Sequence, residues 1–97
     1  MREYIFFMHD DVQSEEKNSD WDAYIQTLNQ SGAFVGGSAV GAGTSFRQKG
    51  MTAPTRHSIN GFIRVRAIDM DAAKALLSGN PTFELGGTVD VHELLET

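Results

Sequence analysis

The segment that decides the fold is "GGTVDVHELLET", residues 86–97, which contains the run His92-Glu93-Leu94-Leu95-Glu96. In a helix, side chains at i and i+4 share one face, so His92 and Glu96 would lie together much as in the His-Glu-x-x-His zinc peptidases. In a strand, successive residues would instead alternate between two faces. The closing element of the fold and the class of protein therefore depend on which structure this segment adopts.

The pattern of the segment favours a strand. Val89 and Val91 alternate with Asp90 and His92, β-branched residues predominate, and too few residues follow for a helix that could orient metal ligands. We therefore predict a strand over about 87–95 and no metal site. The two valines should face the core, and Asp90 and His92 should face the other way.

Two segments near the start of the chain also have the composition of strands. Residues 2–8 are rich in aromatic and β-branched side chains, which suits a strand buried on both faces or nearly so. Residues 33–40 are extended in character but contain Gly36 and Gly37 in the middle. These glycines predict either a bulge or a close approach of another group to the backbone.

The region after the second strand has the weakest pattern. Within residues 41–58, positions 44–47 are compatible with a continued strand and positions 49–54 have the pattern of an exposed loop, so a hairpin and a flap both remain open. Residues 59–68 then alternate clearly. The alternation predicts one face formed by Ile63, Val65 and Ala67 and another formed by Phe62, Arg64 and Arg66.

Two segments predict helices. Ser19 is placed to cap a helix over about 20–31, and Gly32 suits the left-handed position after its end. Asp69 is placed to cap a second helix over about 70–78, which Gly79 and Pro81 would end. Their buried stripes are predicted to be Trp21, Tyr24, Ile25 and Leu28 in the first and Met70, Ala73, Leu76 and Leu77 in the second.

The order β-α-β-β-α-β predicts a single α+β domain over residues 1–97. The expected arrangement is ferredoxin-like, with an antiparallel four-stranded sheet and both helices on one face. The other face would be left uncovered, and a second copy related by a two-fold axis is the simplest cover for it. We therefore predict a homodimer.

Composition and charge exclude several classes of protein. The formal net charge is −5 and the basic residues are scattered, so nucleic acid is not an expected partner. The absence of cysteine excludes disulfides and thiolate metal sites and favours a cytoplasmic protein. The first apolar run is too short for a membrane span or a signal peptide, so no membrane partner is expected.

Charged groups should collect on the uncovered face of the sheet. Arg64 and Arg66 from the third strand would share it with Asp90 and His92 from the last strand. One interpretation is structural, with these groups paired across a dimer interface or solvated. The other is a polar pocket in which His92 acts as acid or base while an arginine holds an anionic substrate.

The remaining histidines are weaker candidates. His9 follows the first strand, and the favoured interpretation is a solvated loop histidine. His57 stands next to Ser58, but neighbours in sequence do not form a catalytic triad. The glycine-rich stretch 36–45 lacks the endings of both phosphate-binding motifs.

Several passages resemble the YCII-related family: "YIFFMHDD", "GAFVGGSA", "GFIRVRAIDMDAAKAL" and "GGTVDVHELLE". The resemblance covers nearly the whole chain and implies a ferredoxin-like fold, a dimeric α+β barrel and a cleft that in some members holds a His-Asp pair. This chain departs from that pair. The first helix has no histidine, and Asn80 stands before Pro81 where such members have an acid. Asparagine cannot act as a carboxylate base.

From these patterns we expect a small homodimer that binds a small polar or anionic molecule without a cofactor and performs acid-base chemistry on it as an extension; the family resemblance implies that this chemistry would be of a lyase type. The alternative is a non-catalytic interaction or regulatory module that uses the uncovered face only to dimerise. A pocket walled by the paired glycines would favour the first. The candidate catalytic residues are His92, His57 and His9, and the candidate substrate-binding residues are Arg47, Arg64, Ser38, Gly36 and Gly37.

Overall fold

A computed structural model describes residues 1–50 and 58–96. The chain forms a small α+β domain, as predicted, and its elements follow in the order β-α-β-β-α-α-β, with a short helix before the last strand that was not predicted. No helix in these two ranges is both long and apolar enough to cross a membrane. The elements are β1 (Arg2–His9), α1 (Asn18–Gln30), β2 (Phe34–Ala39), β3 (Ile59–Ala67), α2 (Met70–Ala75), α3 (Pro81–Glu84) and β4 (Val89–Leu94).

The four strands form one antiparallel sheet in the order β2-β3-β1-β4. This order is consistent with a ferredoxin-like arrangement. Strand β1 lies in the centre, where Phe6 pairs with Ile63 of β3 on one side and with Val91 of β4 on the other. The closing segment is therefore a strand, as its alternation predicted.

The core lies on one face of the sheet, between the strands and the helices. Tyr4 and Phe6 are fully buried there, and side chains from α1 and α2 belong to the same cluster. The predicted faces of β3 and β4 are confirmed, because Val65 lies in this cluster and Val91 packs against it. The opposite surface of the sheet, here called the open face, carries Glu3, Ile5, Phe7, Phe62, Arg64, Arg66, Asp90, His92 and Leu94.

Both features predicted for the paired glycines of β2, a bulge and a close approach to the backbone, are present. The register of β2 against β3 shifts between Phe34 and Gly36, which marks a bulge or irregularity. A Cβ atom added at Gly37 would lie 2.6 Å from the backbone oxygen of Phe62. Strand β2 ends at Ala39, so residues 44–47 do not continue it.

The start of α1 differs from the prediction. The helix begins at Asn18, its N-cap is Lys17, and no side chain caps it, so Ser19 lies in the first turn. The C-terminal end is as predicted, because Gly32 has a φ of 77°. The buried stripe is also confirmed, with Tyr24 and Leu28 buried and the other two positions packed against the core.

The second helical region is shorter and more divided than predicted. Asp69 caps α2 as expected, accepting a hydrogen bond from the Ala72 N–H at 2.8 Å. Met70 is 38% exposed rather than buried, and it is neither in the core cluster nor among the residues packed against it. Pro81 does not merely end α2 but begins α3, with Asn80 as its N-cap. Proline suits the first helical position because the amide it lacks would have no partner there.

Candidate functional site

A cleft of about 530 Å³ opens between α1 and strands β2 and β3. Two of the predicted site residues, Gly37 and Ser38, line it, whereas Gly36 lies beside it at the irregularity in β2. Its volume falls in the range of small-molecule sites, roughly 300–1,000 Å³. The lining is apolar at Met8, Trp21, Ile25, Phe34, Phe62 and Ile63 and polar at Glu16, Asn18, Ser38 and Asn60.

Glu16 fixes one wall of this cleft. Its Oε2 accepts a hydrogen bond from Trp21 Nε1 at 2.8 Å, and its Oε1 accepts one from Thr82 Oγ1 at 2.8 Å. The Trp21 ring also meets Tyr24 edge to face, with the ring centroids 6.0 Å apart. These contacts hold the indole in one orientation. Sequence reasoning assigned no role to Glu16, because Thr82 lies 66 positions away along the chain.

A second cluster of functional groups lies at the end of β1, on the side of the open face. His9 Nε2 is 2.7 Å from Asp90 Oδ2, and His9 Nδ1 is 3.3 Å from Ser58 Oγ. The His9 side chain is 17% exposed and that of Asp90 is 43% exposed. The prediction of a solvated loop histidine is therefore wrong: His9 is the last residue of β1, and residues at the starts of β3 and β4 enclose its ring.

Backbone pairing holds this cluster in place. The His9 N–H donates to the Thr88 oxygen at 3.0 Å, and the Asp10 N–H donates to the Ser58 oxygen at 2.9 Å. The Asp11 carboxylate accepts hydrogen bonds from the Thr88 N–H and hydroxyl at 2.8 and 2.6 Å. The Thr88 hydroxyl is the main reason that the pKa of Asp11 is lowered. The imidazole and its two partners are thus positioned by three neighbouring strand ends.

His92 and Arg64 lie on the open face, as predicted, on either side of Ile5. Arg64 Nη2 donates to both carboxylate oxygens of Glu3 at 3.1 Å, so the guanidinium already has an anionic partner within the chain. His92 is exposed, and its ring meets Phe7 edge to face with centroids 6.1 Å apart. Two strand spacings of about 5 Å separate Arg64 from His92, so a ligand held by both would have to span Ile5.

Arg47 and His57 are the last two candidates. Arg47 is exposed in the segment that follows β2. His57 lies outside the described residues, so its predicted catalytic role stays a prediction.

Asn80 stands where the family resemblance implies an acid, and it has a structural role. Its side chain is fully buried, and its Oδ1 accepts a hydrogen bond from the Phe83 N–H at 3.1 Å. Tyr24 is also buried, and its hydroxyl donates to the Leu76 oxygen at 2.7 Å. Burial raises the pKa of Tyr24 to about 12, although the neighbouring Asn80 side chain partly opposes the shift. The Tyr24 hydrogen bond joins α1 to the end of α2, and Asn80 caps α3.

No protein family among those compared matches this chain, and no curated protein matches it either. Among residues 1–50 and 58–96, no group of three or more histidine, aspartate or glutamate side chains is arranged to hold a metal ion. The cleft and the His9 cluster are therefore the features from which a function has to be inferred.

Proposed function

We propose that this protein binds a small molecule with an apolar ring and polar substituents in the cleft between α1 and the sheet. The proposal is based on the combination of a volume of about 530 Å³, apolar walls and separated polar side chains. Sites for small ligands commonly have this composition, because apolar contact provides affinity and a few polar groups set orientation.

The lining residues suggest how such a ligand would lie. Trp21 offers an aromatic surface, while Asn60 offers both a donor and an acceptor. The Ser38 hydroxyl donates to the Ala39 oxygen at 2.8 Å and can still accept a hydrogen bond. A planar ring against the aromatic wall would place its substituents within reach of these polar groups.

The charge of the lining favours a neutral or cationic ligand. Within the described part of the chain, Glu16 is the one charged side chain that lines the cleft, and an anionic ligand would be repelled by it. We therefore favour a neutral or cationic ligand over the anionic one expected from the sequence. Acid-base chemistry on the bound molecule stays an extension of this proposal, since no histidine lines the cleft in the described ranges.

We further propose that the protein is a ferredoxin-like homodimer that pairs its open faces, as in the dimeric α+β barrels of the YCII-related family. Ile5, Phe7 and Leu94 are partly buried apolar residues on a face that none of the described helices covers. Glu3 and Asp90 balance Arg64 and Arg66 on this face, so it is close to neutral within a chain of net charge −5. Two acidic copies could therefore approach through it with little electrostatic repulsion.

A non-catalytic interaction module is the second candidate, and the same open face favours it. In that case dimerisation would be the purpose of the sheet surface, and the cleft would hold no specific ligand. Ligand binding in the cleft distinguishes the two functions.

The test uses Trp21, which is the single tryptophan of the chain and lines the cleft. Its fluorescence should change in a saturable way when a library of small aromatic amines, amides and acids is titrated against the protein. Asn60→Leu should weaken binding about fivefold or more, because one hydrogen bond contributes roughly 1 kcal/mol. His92→Ala is the matched control, since this exposed residue lies on the other face of the sheet and should leave the affinity unchanged.

Two results would contradict the proposal. A library in which no compound gives saturable binding would favour the interaction module. Binding that is lost in His92→Ala but kept in Asn60→Leu would move the ligand to the open face.

A further inference from the structure

We propose that Asp90, His9 and Ser58 form a proton relay that makes Ser58 a nucleophile towards activated esters. The three groups form a chain of contacts from the carboxylate through the imidazole to the hydroxyl, with 2.7 Å between Asp90 Oδ2 and His9 Nε2 and 3.3 Å between His9 Nδ1 and Ser58 Oγ. The inference does not depend on the cleft, because Met8 lines the cleft while His9, the next residue along β1, points to the opposite face.

The carboxylate determines which ring nitrogen can act as a base. A carboxylate accepts hydrogen bonds, so Asp90 favours the neutral imidazole tautomer that carries its proton on Nε2. The lone pair of His9 Nδ1 is then directed at Ser58, whose hydroxyl can donate to it. The same division of roles among a carboxylate, an imidazole and a hydroxyl operates in serine hydrolases, whatever the chain order of the three residues.

Burial and exposure are distributed as a nucleophilic site requires. His9 is mostly enclosed, which limits the access of water to its ring nitrogens, whereas Ser58 is exposed and open to a substrate. The distance of 3.3 Å is long for a hydrogen bond, but catalytic contacts of this kind tighten when the substrate is bound. The backbone pairing of Asp10 with Ser58 and of His9 with Thr88 keeps the relay in place without a ligand.

The proposed step is an acyl transfer to Ser58. The hydroxyl oxygen attacks the ester carbonyl carbon, and its proton passes to Nδ1 of His9 as the new carbon–oxygen bond forms. The bond to the leaving group then breaks and its oxygen keeps the bonding electron pair; an alcohol leaves after taking the proton from His9 Nδ1, whereas a phenolate leaves as the anion and His9 loses its proton to water. The product on the protein is an acyl-serine. General-base assistance contributes about 10²–10⁴-fold, which is enough for esters with good leaving groups but not for amides. Activated esters are therefore the substrate class.

The experiment treats the full chain with p-nitrophenyl acetate and follows both the release of p-nitrophenolate and the site of acetylation by peptide mass spectrometry. We expect acetylation of Ser58 well ahead of Ser78, another exposed serine in the same molecule. Ser58→Ala should remove this fast adduct. His9→Gln should slow Ser58 acetylation about a hundredfold or more, and Asp90→Asn about tenfold or more, because asparagine can hold the wrong imidazole tautomer.

The controls keep the outcome decisive even if a variant is less stable. In the Ser78→Ala variant, Ser58 should be acetylated at the same rate as in the parent. The ratio of Ser58 to Ser78 acetylation in the unaltered protein requires no substitution at all. A ratio near one, or a Ser58 rate that is the same in folded His9→Gln as in the parent, would overturn the relay.

Discussion

Replacement of Gly37 by alanine should destabilise the protein, whereas the same change at Gly36 should not. A Cβ atom at Gly37 would lie 2.6 Å from the Phe62 backbone oxygen and 3.3 Å from the Ile63 Cα, both fixed by strand pairing. At Gly36 no atom lies within 4 Å of the added carbon. Neither glycine has a positive φ, so the two substitutions differ in the space around the side chain and not in backbone strain.

The magnitude follows from this contact. Forcing an extra carbon into a packed site costs about 1–3 kcal/mol, because the backbone or its neighbours must shift. Glycine-to-alanine replacement also reduces the entropy of the unfolded chain, which stabilises by about 0.4–1 kcal/mol at both positions and cancels in the comparison. In a domain of this size, 1 kcal/mol corresponds to about 4–8 °C in Tm. Gly37→Ala should therefore melt at least about 4 °C below Gly36→Ala.

The assay is urea unfolding followed by Trp21 fluorescence and circular dichroism, together with thermal unfolding, at one fixed protein concentration. The fixed concentration matters because the stability of an associating protein depends on it. Equal midpoints for the two variants would refute the close approach at Gly37. A larger loss of stability in Gly36→Ala than in Gly37→Ala would mean that the closely packed position in β2 is not Gly37.

Two other variants test the core and the open face. Tyr24→Phe removes the hydrogen bond to the Leu76 oxygen, so urea unfolding at pH 7 should show a loss of about 1–2 kcal/mol. Burial raises the folded pKa of Tyr24 to about 12 from 10.0, so the greater stability of the parent should be complete below pH 10 and should shrink as the pH rises from 10 through 12. A stability difference between parent and variant that stays constant over this range would contradict the burial argument. Ile5→Asp places a charge at the centre of the open face and should convert a dimer into a monomer in size-exclusion chromatography with light scattering. A parent that is already monomeric at every concentration would refute the pairing of open faces.

Much of the architecture could be predicted because its signals are local. The alternation of Val89 and Val91 with Asp90 and His92 has the period of a strand, and the faces it predicts are those observed. The cap at Asp69 was equally predictable, since a capping carboxylate needs only an amide three residues away. The asparagine-proline start of α3 carried a similar local signal, but the prediction took that proline as a helix end.

The candidate sites depended on contacts that the order of residues does not reveal. The polar residues that follow His9 in the sequence predict a solvated histidine, yet its partner Asp90 lies 81 positions away along the chain. Likewise, α1 begins without the predicted serine cap, next to Glu16, which bonds Trp21 and Thr82. Local preference for a cap is worth about 1 kcal/mol, so tertiary contacts of similar energy can move a helix start by a residue or more.

The sequence by itself determined the strands, the two main helices and the division of side chains between the two faces of the sheet, because periodicity is a property of neighbouring residues. Only the tertiary structure decided that Trp21 and Ser38 share a cleft and that His9, Asp90 and Ser58 meet at one corner of the sheet. The physical reason is strand pairing: antiparallel register brings together residues from distant parts of the chain, and a shift of one residue would send each side chain to the other face.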